Sequence, residues 1–257
     1  MDLIAPGTIE AFGLYLVRTS VLILGSPFFG AGNGFGGYKI AMIVSLSVIL
    51  YSVTGVPLGE DLDPILFAGL ALREVLVGAF LAFIFQLTLL GVQIAGHLIG
   101  HEMAFNMARS VDPNSGAQMP VLASMYETLF LLALISVDGH HWVLRALSES
   151  FERAPVGAMD FSASVSNVVI TFFTQIFGAG LTFAAPIMVL LTLVSVMIAL
   201  LTRAVPHLNI MEFGFSLRIT GGMASVFIFT PSLTPALTRM LNILMDGLEA
   251  GLVALEG

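Results

Sequence analysis

FSASVSNVVITFFTQIFGAGLTFAAPIMVLLTLVSVMIALLT, residues 161–202, contains no Asp, Glu, Lys, Arg or His. It is rich in Phe, Val, Leu and Met and exceeds the roughly 20 apolar residues that cross a bilayer as one helix. A single untilted crossing is therefore too short to hold it. Gly178, Gly180 and Pro186 are placed to bend it, because proline removes a helix hydrogen bond and glycine lets another backbone approach, so a kinked pair of helical segments is expected. The stretch also lacks the ionisable side chains through which proton and solute relays run.

The rest of the chain has the same character. Of 257 residues, 57% are hydrophobic and 10% charged, against about 25% charged in an ordinary soluble domain. The expectation is one all-α, integral membrane-type unit over residues 1–257, with room for about six helical crossings. The net charge of -8 and the lack of any basic tract exclude nucleic acid, whose phosphates are bound by clustered Lys and Arg. There is no cysteine, hence no disulfide, thiolate metal site or cysteine nucleophile.

Further apolar stretches lie at 12–29, 40–56, 65–95, 121–137 and 219–233. The N-terminal region carries Asp2 and Glu10 where a signal peptide would be positive, so its apolar stretch is expected to be retained. Pro27 and the run Gly30–Gly37 close that stretch. Gly32, Gly34 and Gly37 fit G-x-G-x-x-G, but no buried strand precedes them, so the dinucleotide reading is rejected. Arg18 inside the first stretch would cost about 2.5–3.5 kcal/mol at a bilayer centre. Arg73 and Glu74 diverge by about 100° on a helix, and each must look to another helix. An Arg18–Glu74 contact would satisfy two costly groups, and reversing both charges should then rescue either single reversal. His97 and His101 share a helical face at a spacing that suits metal ligands. The sequence fixes no third ligand among Glu102, His140 and His141, so polar interhelical contacts are expected and no metal is assigned. Arg145 to Glu149 and Glu149 to Arg153 are i,i+4 pairs of a surface helix.

MAFNMARSVDPNSGAQMP, residues 103–120, interrupts this hydrophobic chain with turn formers, yet Met103, Phe105, Met107 and Val111 recur inside it. Two readings fit: a gate with one side toward something dry, or a connector whose apolar residues fold back on neighbouring helices. Asp112, Pro113 and Pro120 set the loop's geometry, since Asp bonds nearby backbone and Pro restricts φ and the residue before it.

GHEMAFNMARSVDPNSGAQMPVL at 100–122, DGHHW at 138–142 followed by APVG, and TRAVPHLNIMEFGFSLRI at 202–219 together resemble, in order and over most of the chain, the FliR family of flagellar type III export-gate proteins. The resemblance implies packed helical hairpins with kinked long helices, and helical mass lifted partly out of the bilayer. It implies a non-enzymatic, channel-forming subunit in the bacterial inner membrane at the flagellar basal body, without cofactor. The implied partners are FliP-like and FliQ-like membrane proteins, an FlhB-like subunit and rod proteins, surrounding lipid, and exported unfolded chains. It also implies a loop that helps plug the closed channel, at Met103, Ala104, Phe105, Asn106, Met107 and Val111. Other members carry more aromatic residues where Met107, Ala108 and Arg109 stand here, which implies a softer seal. Adaptable Met side chains beside Phe105 suit a deformable closure.

Arg18, Arg73, Glu74 and Arg203 are the expected buried-charge or partner contacts. In the last motif, Pro206, Asn209, Phe213, Gly214 and Phe215 are read either as a turn against a partner or the gate loop, or as internal packing. An amphipathic tail follows, with Leu237, Met240, Leu241, Leu244, Met245 and Leu248 at helical spacing. Six crossings would put Lys39, Arg109, Arg203 and Arg218 on one side, the inside by the positive-inside rule. The alternative function is a self-contained ion or small-solute transporter using Arg18, Arg73, Glu74 and the histidines.

Overall fold

The computed structural model describes residues 7–26, 36–58, 63–104, 121–156, 163–204 and 210–256. Among them all regular structure is helical: α1 Thr8–Gly25, α2 Gly36–Thr54, α3 Pro64–Glu102, α4 Val121–Ser136, α5 Gly139–Arg153, α6 Ala163–Ala204, α7 Ile210–Ile228 and α8 Thr230–Leu255.

Local chemistry sets several of these limits. Glu10 occupies the first turn of α1, where a carboxylate meets the positive end of the helix dipole. The helix stops at Ser26, which is extended at ψ 134° while its N–H still bonds the Leu22 carbonyl. Pro27 follows, and a residue before proline is driven out of the helical region. The third helix runs seven residues past the end of the apolar stretch at Ala95, to Glu102, with His97 and His101 inside it. Gly96 is carried inside it because α4 lies against it: a Cβ there would sit 2.5 Å from Ala123 Cα and 2.9 Å from the Leu122 carbonyl oxygen. The two segments expected around Pro186 are joined as one helix of 42 residues. The apolar stretch 219–233 is instead divided, because Pro231 falls in the first turn of α8, where its missing N–H is unneeded.

Among the described residues four helices are long and apolar enough to cross a membrane, α1, α2, α3 and α6, and a fifth crossing exists if α4 and α5, which meet at 71°, act as one. The sequence offered room for about six. The apolar part of α7, Gly214–Ile228, is short, and α8 carries Arg239, Asp246 and Glu249. The side assignment of Lys39, Arg109, Arg203 and Arg218 assumed six crossings.

The chain divides into two units: residues 1–87, 135–173 and 243–257, and residues 88–134 and 174–242. In the first, α1 packs on α2 through edge-to-face contacts of Tyr51 with Phe12 and Tyr15. Its buried residues include Leu14, Leu81, Phe85, Leu147 and Leu248. In the second, Gly91 of α3 meets Gly180 of α6, where a Cβ on Gly180 would lie 2.5 Å from the Gly91 carbonyl oxygen. Beside that crossing, Tyr126 sets its ring edge-to-face on Phe183 at 5.1 Å.

Candidate functional site

The first unit is built around one arginine. Arg18 is fully buried on α1, and its Nε donates to Glu74 Oε2 on α3 at 2.6 Å. Nη1 donates to the Ser150 carbonyl at 2.7 Å and to Ser150 Oγ at 3.2 Å, and Nη2 to the Ala154 carbonyl at 2.9 Å. Ser150 and Ala154 lie at the C-terminal end of α5, the negative end of its dipole. One guanidinium thus ties α1 to α3 through a charge and to α5 through two carbonyls, in the fork geometry that lysine cannot supply. The Phe151 ring lies 4.3 Å from Arg18 Cζ and stacks on Tyr15 at 4.0 Å. Tyr15, one turn before Arg18, donates its hydroxyl to the Thr54 carbonyl at 3.1 Å.

Pairing Arg18 with Glu74 was readable in the sequence as two costly charges in apolar stretches. The roles of Ser150, Phe151 and Ala154 were not, because carbonyl acceptors leave no signature. They revise one expectation: reversing both charges would place a carboxylate against the carbonyls of Ser150 and Ala154, so rescue does not follow from the pairing. They also add a buried side to the surface helix expected at residues 145–155. Its outer side carries Arg145, Glu149 and Arg153 in i,i+4 pairs at 3.0 and 3.7 Å, while Val143, Leu147 and Phe151 are buried.

The second unit holds the start of the segment that follows α3. Met103 is fully buried just beyond α3, its sulfur and terminal methyl against Gly222 of α7, where an added Cβ would lie 2.7 and 2.6 Å from them. Ala104 turns the chain with φ 59°, a left-handed conformation that costs a non-glycine residue roughly 1 kcal/mol or more, and its N–H bonds the His101 carbonyl at 3.0 Å. At the other end of the loop, α4 begins at Val121 and runs against Gly96 of α3 within two residues. Gly222 was not singled out in the sequence, where it is one member of a Gly-Gly pair in an apolar run.

Phe105, Asn106, Met107, Val111, Asp112, Pro113 and Pro120 lie outside the described residues, as do Pro206 and Asn209. Phe213 falls within α7, but its side chain lies outside the described set. Gly214, buried, and Phe215, half-buried, are inside α7 as well. Of the two readings made there from the sequence, a turn or internal packing, the turn is replaced by helix at these positions, since Phe213 to Arg218 continue a helical run around the single glycine. Arg73 is exposed on α3 beside buried Glu74, and Arg203 is exposed in the last turn of α6, where a cation suits the dipole. His97 and His101 are both exposed on α3. Asp138, His140 and His141, at the turn between α4 and α5, bring three donor atoms within 4.8 Å of one another. Asp138 Oδ1 and His141 Nδ1 are 3.9 Å apart.

Residues 9–244 match the family described as bacterial export proteins, family 1. The chain is 32% identical over 181 residues to the flagellar biosynthetic protein FliR of Escherichia coli K12, covering 69% of each chain. It is 31% identical over 212 residues to FliR of Bacillus subtilis 168, covering 81% of this chain and 82% of that one. The surface presentation of antigens protein SpaR of Shigella sonnei is 25% identical over 217 residues, covering 84% and 83%.

Proposed function

The chain belongs to family 1 of the bacterial export proteins, and from that membership we propose that it is a structural, channel-forming subunit of the flagellar type III export gate. In this reading it assembles with FliP-like and FliQ-like membrane proteins, and with an FlhB-like subunit and rod proteins, in the inner membrane at the flagellar basal body. Unfolded flagellar proteins pass through the assembly. The segment from Met103 to Val111 helps to close it, and the role is architectural rather than enzymatic.

The observation that carries the reading is the surface of α6. At 1.5 Å per residue its 42 residues extend about 63 Å, twice the roughly 30 Å of bilayer hydrocarbon. Exposed Ile170, Phe173, Phe177 and Leu181, then Val189, Leu193, Val196 and Leu200, recur at helical spacing along it. Hydrocarbon cannot cover the whole of such a stripe, and water is a poor solvent for it. Apolar helices of other subunits are the remaining cover. The buried Met103 and the left-handed Ala104 support the gate in turn, because they fix the direction in which the chain leaves α3.

The transporter alternative is weakened at the place where it needed strength. The Arg18 and Glu74 charges are matched to one another and to α5 carbonyls, leaving the guanidinium committed to holding helices together rather than to a solute. Native mass spectrometry of the tagged chain, extracted gently from cells making it at normal levels, tests the proposal. A mixed complex with several copies of two other small helical membrane proteins is expected. A lone chain or a pure homo-oligomer, under conditions that preserve known complexes, overturns it in favour of the transporter.

A further inference from the structure

A groove of about 560 Å³ opens between α6 and α8 in the first unit, lined by Val168, Asp246, Glu249, Ala250, Val253 and Ala254. Its shape follows from the two faces of α8. Leu244, Leu248 and Leu252 are buried beside Gly247 and Gly251, where a Cβ would come 3.1 Å from Phe172 Cζ and 3.1 Å from Phe80 Cε1. That side of α8 is thus drawn tightly onto its neighbours. The opposite side presents Asp246, Glu249, Ala250 and Val253, three and four residues apart and so on one face. Asp246, Glu249 and Ala250 are exposed, and Val253 is 55% exposed.

Two carboxylates one turn apart repel each other, and among the described residues neither has a hydrogen-bond or ion-pair partner, whereas nearby Glu256 is met by Arg153. Lipid tails do not suit this face, because ionised carboxylates are expensive in hydrocarbon and α8 is not among the helices fit to cross a membrane. An open, largely apolar trough lined by Val168, Ala250, Val253 and Ala254 with two unmatched carboxylates among them fits a helix that carries an apolar side and Lys or Arg at its edge.

We propose that the groove between α6 and α8 is the docking site for a helix of another subunit, held by Lys or Arg against Asp246 and Glu249 and by apolar side chains against Val168, Ala250 and Val253. The proposal rests on the export-gate reading, since it requires a different chain in the assembly, and it adds the place and chemistry of one contact.

Replacing Val253 with p-benzoylphenylalanine in the full chain and irradiating the intact complex tests this directly. The expected crosslink joins Val253 to a helical peptide of a different subunit that contains Lys or Arg within a turn of the attachment point. Asp246→Lys with Glu249→Lys should lower the crosslink yield at least about tenfold, and changing the partner's basic residues to Glu should restore it. Asp246→Asn with Glu249→Gln, which preserves side-chain size, should lower the yield less and make it less sensitive to salt. A crosslink to lipid, to a second copy of this chain, or to a peptide without Lys or Arg overturns the proposal, as does an unchanged yield in both double variants. A heteromeric complex that leaves position 253 uncrosslinked overturns the docking site and spares the export-gate reading. A chain that purifies alone overturns both.

Discussion

Arg18 does several jobs with one planar group. Its Nε reaches Glu74 and its two terminal nitrogens reach α5 carbonyls, so charge and geometry are both used. Arg18→Lys keeps the charge and loses the fork. It should lower stability by about 1.5–3 kcal/mol, the usual worth of hydrogen bonds to a charged group, read by denaturant unfolding in detergent. Glu74→Ala leaves a buried cation short of its counter-charge and should cost more, about 3–5 kcal/mol. The double reversal Arg18→Glu with Glu74→Arg should remain as unstable as the single reversals, because the carbonyls of Ser150 and Ala154 can only accept hydrogen bonds; full recovery would show that the α5 contacts contribute little. A second contact at this scale is Met103 in the notch over Gly222. Gly222→Ala adds a Cβ where the Met103 sulfur lies, an overpacking worth about 1–3 kcal/mol. Met103→Ala empties the same space at about 2–5 kcal/mol. The double variant should be less destabilised than the sum, the mark of residues sharing one volume. Strict additivity would place the two side chains apart.

The fifth helix shows how differently the faces of one element are weighted. Glu149 pairs with Arg145 and Arg153 on the solvent side, and such pairs contribute about 0.2–0.5 kcal/mol each. Phe151 lies two residues on, buried between the Arg18 guanidinium and Tyr15. Glu149→Ala should therefore change stability by less than about 1 kcal/mol and Phe151→Ala by about 3–5 kcal/mol, compared in the same unfolding assay. Equal effects would mean that the helix is held by its charges. The sequence displayed the charged side openly through its i,i+4 spacing and hid the other, because Phe151 among charged residues carries no mark of its stacking partners. The same limit explains the remaining differences. Apolar length located α1, α2, α3 and α6, since that property resides in each segment. The continuation of α3 through Gly96 depends on the approach of Ala123, a contact between segments that the linear pattern does not record. Met103 drew attention by its chemistry, as an apolar residue among turn formers; Gly222, which receives it, has no side chain to draw attention.

At the scale of the whole molecule, the surface carries more apolar helix than a bilayer can solvate. The third helix, with 39 residues, extends about 58 Å and the sixth about 63 Å. Both exceed the hydrocarbon thickness of roughly 30 Å, so their length has to be divided between lipid and protein. Placing Asp singly at Phe173, Leu181, Val189, Val196 and Leu200, all exposed on α6, should separate the two environments. Where lipid covers the helix, an Asp costs about 2.5–3.5 kcal/mol of insertion near the bilayer centre and less toward its edges. Variants of that kind should lose chain from the membrane fraction. Where another subunit covers it, the chain should stay in the membrane while the hetero-oligomer seen by native mass spectrometry disappears, because a buried carboxylate without a partner disrupts an apolar interface. The two classes should be contiguous along α6, with the insertion-sensitive block no longer than about 20 residues, the number that spans the hydrocarbon. Insertion defects at all five positions would mean that lipid alone meets this face and that the helix tilts to fit. A block of assembly defects would make α6 a membrane helix along one part and an assembly helix along the other, as a channel subunit continuing beyond the bilayer requires.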